Sequence, residues 1–263
     1  MRNTFLPRYP ILRHPKDYGI EYKDVSFLTE DNFNLKGWLI VKDQVSPLII
    51  LCHSLGTNKS DVLEFVSFLY EAGYNLFLFD FRAHGESSGF VTSFGYREIR
   101  DLKAAVRYLE KIGFKRFGIF GISMGGSVAI MAAESSKNIK AIVADTPYID
   151  LDRTITDYAN LLLPFFGRFL GRFAVLSYRL RFLVDSRKVS PLKIVKEISV
   201  PLFIINGGDD NRMLPSYAQS LYGQANLPKE IWLTPDAGHL ESFWVKREEY
   251  IQRVLNFFGE NLR

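Results

Sequence analysis

The chain has 263 residues, of which 47% are hydrophobic and 24% charged, and its formal net charge is +4. This balance is typical of one soluble globular unit, and so mild a charge gives no reason to expect nucleic-acid binding. The single cysteine, Cys52, excludes an intrachain disulfide framework and fits a cytoplasmic location, since residues 1–20 lack a secretory signal pattern and no apolar run predicts a transmembrane helix.

Short apolar runs alternate with helical patterns along most of the chain. Strands are predicted at residues 25–29, 35–41, 48–52, 75–80, 116–120, 141–145, 202–206 and 231–233, and helices at residues 61–71, 96–111, 126–133 and 250–258. Because strands that alternate with helices form parallel units, this order predicts an α/β fold. We expect a mostly parallel eight-stranded sheet with helices on both faces.

Residues 149–195 interrupt this alternation, because no strand pattern lies among them. An apolar run occupies residues 161–166, and a helix is predicted at residues 169–183. We interpret residues 149–195 as a helical cap inserted into a core of residues 1–148 and 196–263. The aromatic residues of this cap are the candidate lining of a substrate pocket, namely Phe165, Phe166, Phe169 and Phe173.

The predicted cap is also basic. At helical spacing, Arg168, Arg172 and Arg179 lie on one side of its helix and apolar residues fill the other side. Three interpretations remain open: a solvated face, attraction of anionic substrates such as acyl-CoA, and contact with an anionic membrane surface. The oligomeric state is not indicated by the sequence.

The most informative motif is the pentapeptide GISMG at residues 121–125, which has Ser123 at its centre. A predicted strand precedes it and a predicted helix follows it. A serine at such a strand-to-helix turn is exposed at the carboxyl end of the sheet, and the flanking glycines let backbone segments approach closely. We therefore interpret Ser123 as a nucleophile at a nucleophile elbow.

A serine hydroxyl needs a base, and the base needs a carboxylate that fixes its tautomer. His239 follows the last predicted strand and is the candidate base. Asp210 is one candidate acid in the loop after the strand at 202–206, and the order Ser123, Asp210, His239 is the one expected for this chemistry on an α/β sheet. The neighbouring Asp209 is an alternative acid, and Asp145, at the end of another strand, is a second alternative.

A tetrahedral intermediate also needs two backbone N–H donors for its oxyanion. Met124 follows the nucleophile and opens a helix, so that its amide is one candidate. Leu55 lies in the loop after the third strand and is the other. Together these positions predict a catalytic triad with an oxyanion hole.

The chain resembles the α/β-hydrolase superfamily of serine hydrolases, and in particular its bacterial esterase and peptidase-like members. The resemblance covers residues 18–258. It rests on the elbow and on four further segments: HSLG at 53–56, similar to the oxyanion motif; DFRAHGES at 80–87, similar to a structural loop; GGDD at 207–210, similar to the acid loop; and GH at 238–239. Ser54 and Ala83 stand where the family pattern has glycines. On this match Asp210 is the acid.

These observations predict a serine hydrolase that cleaves carboxylic esters of apolar acyl groups through an acyl-enzyme on Ser123. A thioesterase, or a peptidase or amidase, would use the same triad, and a non-catalytic binding protein is a more distant alternative. The serine argues against the carboxylate-dependent chemistry of haloalkane dehalogenases and epoxide hydrolases on this fold. No metal-ligand spacing or phosphate-binding glycine pattern is present, so that neither a metal nor a cofactor is expected, and the expected partner is a small acyl substrate.

Overall fold

An eight-stranded sheet runs through the centre of the computed structural model, which describes residues 8–262. The strands lie in the order β1-β2-β4-β3-β5-β6-β7-β8, and only the pairings β1–β2 and β2–β4 are antiparallel. Their bounds are Lys23–Leu28 (β1), Asn34–Ile40 (β2), Leu48–Cys52 (β3), Asn75–Phe79 (β4), Phe117–Ile122 (β5), Ile139–Asp145 (β6), Leu202–Gly207 (β7) and Lys229–Thr234 (β8). The predicted α/β fold with a mostly parallel eight-stranded sheet is confirmed.

Helices cover both faces of the sheet. The sheet therefore separates two layers of hydrophobic core. They are α1 (Val66–Glu71), α2 (Glu98–Lys111), α3 (Met124–Ala132), α4 (Leu151–Leu162), α5 (Gly167–Phe182), α6 (Pro191–Ile194), α7 (Pro215–Gln224), α8 (Ser242–Val245) and α9 (Arg247–Asn261). Side chains of α2, α3 and α7 pack on one face, and those of α1, α8 and α9 pack on the other. The central strands are therefore buried on both faces, which explains their continuous apolar sequences.

The helical segments differ from the prediction at several places, and α6, α7 and α8 have no counterpart among the predicted helices. The helix expected at 61–71 is a 3₁₀ helix at Lys59–Phe65 followed by the short α1, and reciprocal hydrogen bonds between Asn58 and Asp61 begin it. Helix α4 has no counterpart among the predicted helices. Its start is fixed by Asp150, whose side chain accepts a hydrogen bond from the Arg153 amide.

Helices α4 and α5 form a hairpin between β6 and β7, within the segment interpreted as a cap. The two helices touch through small residues: a Cβ on Gly171 would lie 2.7 Å from the Cα of Thr156, and one on Gly167 would lie 2.2 Å from the Cα of Asn160. Only glycine allows backbones to approach this closely. The glycine side of α5 therefore packs inward, together with the buried Val175, Tyr178 and Phe182.

Candidate active site

Ser123 lies at the sharp turn between β5 and α3. Its backbone has φ 50° and ψ −112°, a conformation that non-glycine residues rarely adopt. The Ser123 amide donates a 2.8 Å hydrogen bond to the carbonyl oxygen of Asp145, and the Ser123 carbonyl accepts one from the amide of Ser127. The strained residue is thus held between the neighbouring strand β6 and the first turn of α3.

The two glycines of the pentapeptide permit this turn. A Cβ on Gly121 would lie 2.5 Å from the carbonyl carbon of Gly125, and a Cβ on Gly125 would lie 2.2 Å from the carbonyl oxygen of Cys52. All these neighbours are backbone atoms that have no freedom to move aside. The beginning of α3 consequently rests directly on the ends of β5 and β3.

Asp210 and His239 form a hydrogen-bonded pair in the loops that follow β7 and β8. The Nδ1 atom of His239 lies 2.8 Å from Oδ2 of Asp210, whose side chain is fully buried. The other carboxylate oxygen, Oδ1, accepts hydrogen bonds from the amides of Arg212 and Met213 at 2.8 and 2.9 Å. This arrangement favours the tautomer that has its proton on Nδ1 and leaves Nε2 as an acceptor.

Neither of the two alternative acids forms a hydrogen bond with His239 among the described residues. Asp209 is exposed, and its amide donates to the carbonyl of Ala237. Asp145 is buried at the end of β6, where the Tyr250 hydroxyl donates a 2.6 Å hydrogen bond to Oδ2. Its Oδ1 has no hydrogen-bond partner within residues 8–262, and burial raises the pKa of Asp145 to about 6.

The loop after β3 brings Leu55 to the same edge of the sheet as Met124, the first residue of α3. Neither amide donates a hydrogen bond to another group in the part of the chain that the structure describes. The next amide, that of Gly56, donates to Nε2 of His84 at 3.1 Å. Nδ1 of His84 in turn lies 2.9 Å from the carbonyl oxygen of Arg82, to which it donates. His84 therefore supports the loop that carries Leu55.

His53 and His84 are both buried, and their rings lie 5.0 Å apart. His53 donates from Nδ1 to the Ser54 carbonyl at 2.7 Å and accepts at Nε2 from the Phe81 amide at 3.0 Å. Burial lowers the pKa of each imidazole below its ordinary value. With both ring nitrogens of each histidine engaged, the pair acts as a neutral support under the loop.

A cavity of about 170 Å³ opens beside this arrangement. Ile122 and Leu240, the chain neighbours of Ser123 and His239, both line it. Its other lining residues include the aromatic side chains of Phe65, Phe243 and Trp244 and the carboxyl groups of Asp61, Glu64 and Asp145. This lining is not predicted from the sequence, although residues 240–245 follow His239 directly in the chain.

The four cap phenylalanines do not line this cavity. Phe165, Phe166, Phe169 and Phe173 are exposed by 96%, 69%, 62% and 53%. They lie on the hairpin tip and on the outer side of α5, away from its buried glycine side. The expectation that they line a substrate pocket is therefore corrected: in this structure they face solvent.

Three further properties of the described residues concern metal ligands, the cysteine and the length of the helices. Within residues 8–262, no group of three or more histidine, cysteine, aspartate or glutamate side chains is arranged to hold a metal ion. Cys52 is buried in β3, and burial raises the pKa of its thiol. None of the helices described in that range is long and apolar enough to cross a membrane.

The chain belongs to the α/β-hydrolase fold family, whose sequence model, described as "alpha/beta hydrolase fold", matches residues 47–179. It is 34% identical to the esterase Pf2001 of Pyrococcus furiosus, and the match covers 98% of this chain and 100% of that one with a TM-score of 0.81. The family and this structural neighbour support a hydrolase.

Curated relatives match over most of the chain. The uncharacterized protein YqkD of Bacillus subtilis is 28% identical over 237 residues, which are 86% of this chain and 75% of that protein. The alpha/beta hydrolase domain-containing protein WAV2 of Arabidopsis thaliana is 26% identical over 259 residues, 95% of this chain and 82% of that protein. The name of WAV2 agrees with the family assignment, and neither name states a substrate.

Proposed function

We propose that this hydrolase is a serine carboxylesterase that uses Ser123 as nucleophile, His239 as base and Asp210 as acid. The observation that carries the proposal is the hydrogen-bonded Asp210–His239 pair at the edge of the sheet where the strained Ser123 turn ends β5. Neighbours of Ser123 and His239 line one cavity, which supports their acting on one bound molecule.

In the proposed reaction, Nε2 of His239 accepts the hydroxyl proton of Ser123 while the serine oxygen attacks the ester carbonyl. The charge on the imidazolium that forms is stabilised by Asp210 through Nδ1. The amides of Leu55 and Met124, which have no acceptor within residues 8–262, would donate to the developing oxyanion. His239 then protonates the leaving alcohol, and water attacks the acyl-enzyme by the same steps in the second half of the cycle.

The cavity favours a small apolar acyl group. Its volume of about 170 Å³ is close to the roughly 150 Å³ of an apolar cavity that accommodates benzene. Phe65, Phe243 and Trp244 provide apolar walls. We therefore infer that esters of short acyl chains, on the order of six non-hydrogen atoms, react faster than long-chain esters.

A fluorophosphonate probe tests the nucleophile. Wild-type protein should be labelled and Ser123→Ala should not be, with esterase activity reduced by at least about 10⁴-fold. Ser220→Ala is a matched control, because the Ser220 hydroxyl donates to the backbone carbonyl of Ser216 in the same helix and has no other partner within residues 8–262. If the folded wild type resists labelling, or if Ser123→Ala is still labelled, the assignment of Ser123 is wrong.

A substrate series tests the leaving group and the acyl chain. p-Nitrophenyl esters of increasing acyl length should give a maximum of kcat/KM at short chains. Acyl-CoA thioesters and aminoacyl anilides, compared at matched acyl groups, measure the thioesterase and amidase alternatives, which would use the same triad. A higher kcat/KM on either of these than on the matched ester would replace the carboxylester assignment.

A further inference from the structure

The hairpin of α4 and α5 presents a large apolar surface to solvent. At its tip, Leu161, Leu162, Leu163, Phe165 and Phe166 are exposed by 41% to 96%. Soluble proteins rarely expose so many consecutive apolar residues, and a contiguous patch of this kind usually marks an interaction site.

The outer side of α5 continues the surface. Phe169, Phe173, Leu176 and Leu180 are each more than half exposed. At 100° per residue they fall within about 60° of one another, on the side opposite the buried glycines. A helix that packs inward through one side ordinarily shows polar residues on the other. Here the solvent-facing side is apolar, so that it is suited to contact something other than water.

The charge of this surface is of one sign. Between Asp157 and Asp185 the chain has four arginines and no acidic residue. Arg179 forms an ion pair with Asp152 of α4, whereas Arg168 and Arg172 form no ion pair with any residue between 8 and 262. Both are exposed and lie along one edge of the apolar stripe. An apolar stripe bordered by arginines is the pattern of a helix that lies in the interface of an anionic membrane.

The base of the hairpin is anchored to the hydrolase core. The Tyr178 hydroxyl donates a 2.8 Å hydrogen bond to the carbonyl of Ser93, and the Tyr217 hydroxyl of α7 donates one of 2.5 Å to Asp157. Tyr178 and Phe182 are buried in the core layer formed with α2 and α3. Since α4 begins six residues after Asp145, at the carboxyl edge of the sheet, the exposed surface is fixed relative to the edge that carries Ser123.

We propose that the outer surface of this hairpin, formed by residues 161–166 and the exposed side of α5, docks on an anionic lipid surface. The charge distribution favours lipid over a second copy of the chain. A two-fold dimer would place this surface against itself, and residues 158–184 of the second copy would supply no acidic side chain to pair with Arg168 and Arg172. The proposal goes beyond the esterase function, because docking does not require Ser123.

Vesicle co-sedimentation tests the proposal with the full chain. We expect binding to vesicles of equal parts phosphatidylglycerol and phosphatidylcholine at low salt, and much weaker binding to phosphatidylcholine alone or at high salt. Arg168→Gln with Arg172→Gln should weaken the partition coefficient about 25-fold, at about five-fold for each arginine. Phe165→Ser with Phe166→Ser should weaken it at least about ten-fold, because the apolar tip no longer inserts.

The matched control removes the same charge from another surface. Arg107→Gln with Lys111→Gln, two exposed positions of α2, should change vesicle binding less than about two-fold. Ser123→Ala should bind vesicles like the wild type, which separates this proposal from the proposed esterase function. Every altered side chain on the hairpin is exposed, and thermal melts check that each variant is folded.

Three outcomes would overturn the proposal. The first is no binding of the wild type to anionic vesicles at low salt. The second is a lipid-free dimer, seen by analytical ultracentrifugation, that Phe165→Ser with Phe166→Ser dissociates, which would assign the surface to a second copy. The third concerns the double variant Arg168→Gln with Arg172→Gln. If its KM for soluble acyl-CoA is raised while its vesicle binding is unchanged, the two arginines bind substrate instead of lipid.

Discussion

Asp210 holds His239 through one carboxylate oxygen while two backbone amides hold the other. Nδ1 of His239 lies 2.8 Å from Oδ2, and the amides of Arg212 and Met213 lie 2.8 and 2.9 Å from Oδ1. The carboxylate cannot rotate without breaking these hydrogen bonds. Its orientation, and with it the orientation of the imidazole, is therefore set before any substrate binds.

Replacing Asp210 with asparagine should preserve the hydrogen bonds from the two amides but present an NH₂ group to Nδ1. The imidazole would then favour the opposite tautomer, which has its proton on Nε2 and cannot accept one from Ser123. We expect kcat/KM on a p-nitrophenyl ester to fall about 10³- to 10⁴-fold with little change in melting temperature. For Asp209→Asn, at the exposed neighbouring position, kcat/KM should stay within about two-fold of the wild-type value. The reverse ranking would move the acid to Asp209.

The central strands were predictable because most of them are apolar runs. Strand β3 agrees with its prediction to the residue, since Leu48–Cys52 is buried throughout and Pro47 precedes it. Helix α4 was not predictable in the same way. Its sequence mixes acidic, hydroxyl and apolar residues, and the side that meets the glycines of α5 carries Thr156 and Asn160.

The candidate site residues could be located from the sequence because parallel strands end at one edge of the sheet. Contacts that depend on how helices pack could not be predicted from the sequence. Tyr250 reaches Asp145 across 105 residues only because α9 lies on the sheet. The exposure of Phe169 and Phe173 could not be predicted either. The sequence pattern shows that one side of α5 is apolar, but it does not show that the opposite, glycine-containing side packs inward.

Gly125→Ala tests the contact beneath the elbow. The added Cβ would lie 2.2 Å from the Cys52 carbonyl oxygen, so that α3 must shift away from β3 and carry the Met124 amide with it. We expect a loss of about 10²-fold or more in kcat, comparable to the loss of an oxyanion donor, and a lower melting temperature. Steady-state kinetics and thermal melts measure both effects.

Gly259→Ala is the corresponding control, because a Cβ added at this helical position has no heavy atom of the described residues within 4 Å, apart from its chain neighbours and the helix's own backbone. It should stabilise the protein by about 0.5–1 kcal/mol and leave kcat unchanged. Should Gly125→Ala behave like Gly259→Ala, the close packing of α3 on β3 would be unnecessary for activity.

The variant Asp145→Asn tests whether Asp145 is a buried structural carboxyl group or the alternative catalytic acid. The amide oxygen still accepts the Tyr250 hydroxyl hydrogen bond, and the buried charge is removed. Burial raises the pKa of Asp145 to about 6, so that the folded state holds this proton more tightly than the unfolded state does. The contribution of Asp145 to stability is therefore greatest below pH 4 and falls as the pH rises towards about 6.

Denaturant unfolding at several pH values measures that contribution. It is the difference in free energy of unfolding between wild type and Asp145→Asn. The two proteins should be about equally stable near pH 4, and the variant should be more stable above pH 6 by on the order of 2–3 kcal/mol. Its esterase activity should remain within a few-fold of the wild type. A stability difference that does not change with pH, or an activity loss as large as that expected of Asp210→Asn, would contradict the structural role.

His84 acts on the proposed oxyanion hole through the Gly56 amide, which donates to its Nε2 at 3.1 Å. His84→Ala should free the loop that carries Leu55 and lower kcat about ten-fold, less than the 10²- to 10³-fold of a lost oxyanion donor, while KM changes little. His84→Gln offers a side-chain oxygen as acceptor and should recover part of kcat. A purely structural histidine would instead lower the melting temperature of both variants and leave kcat of the folded enzyme unchanged.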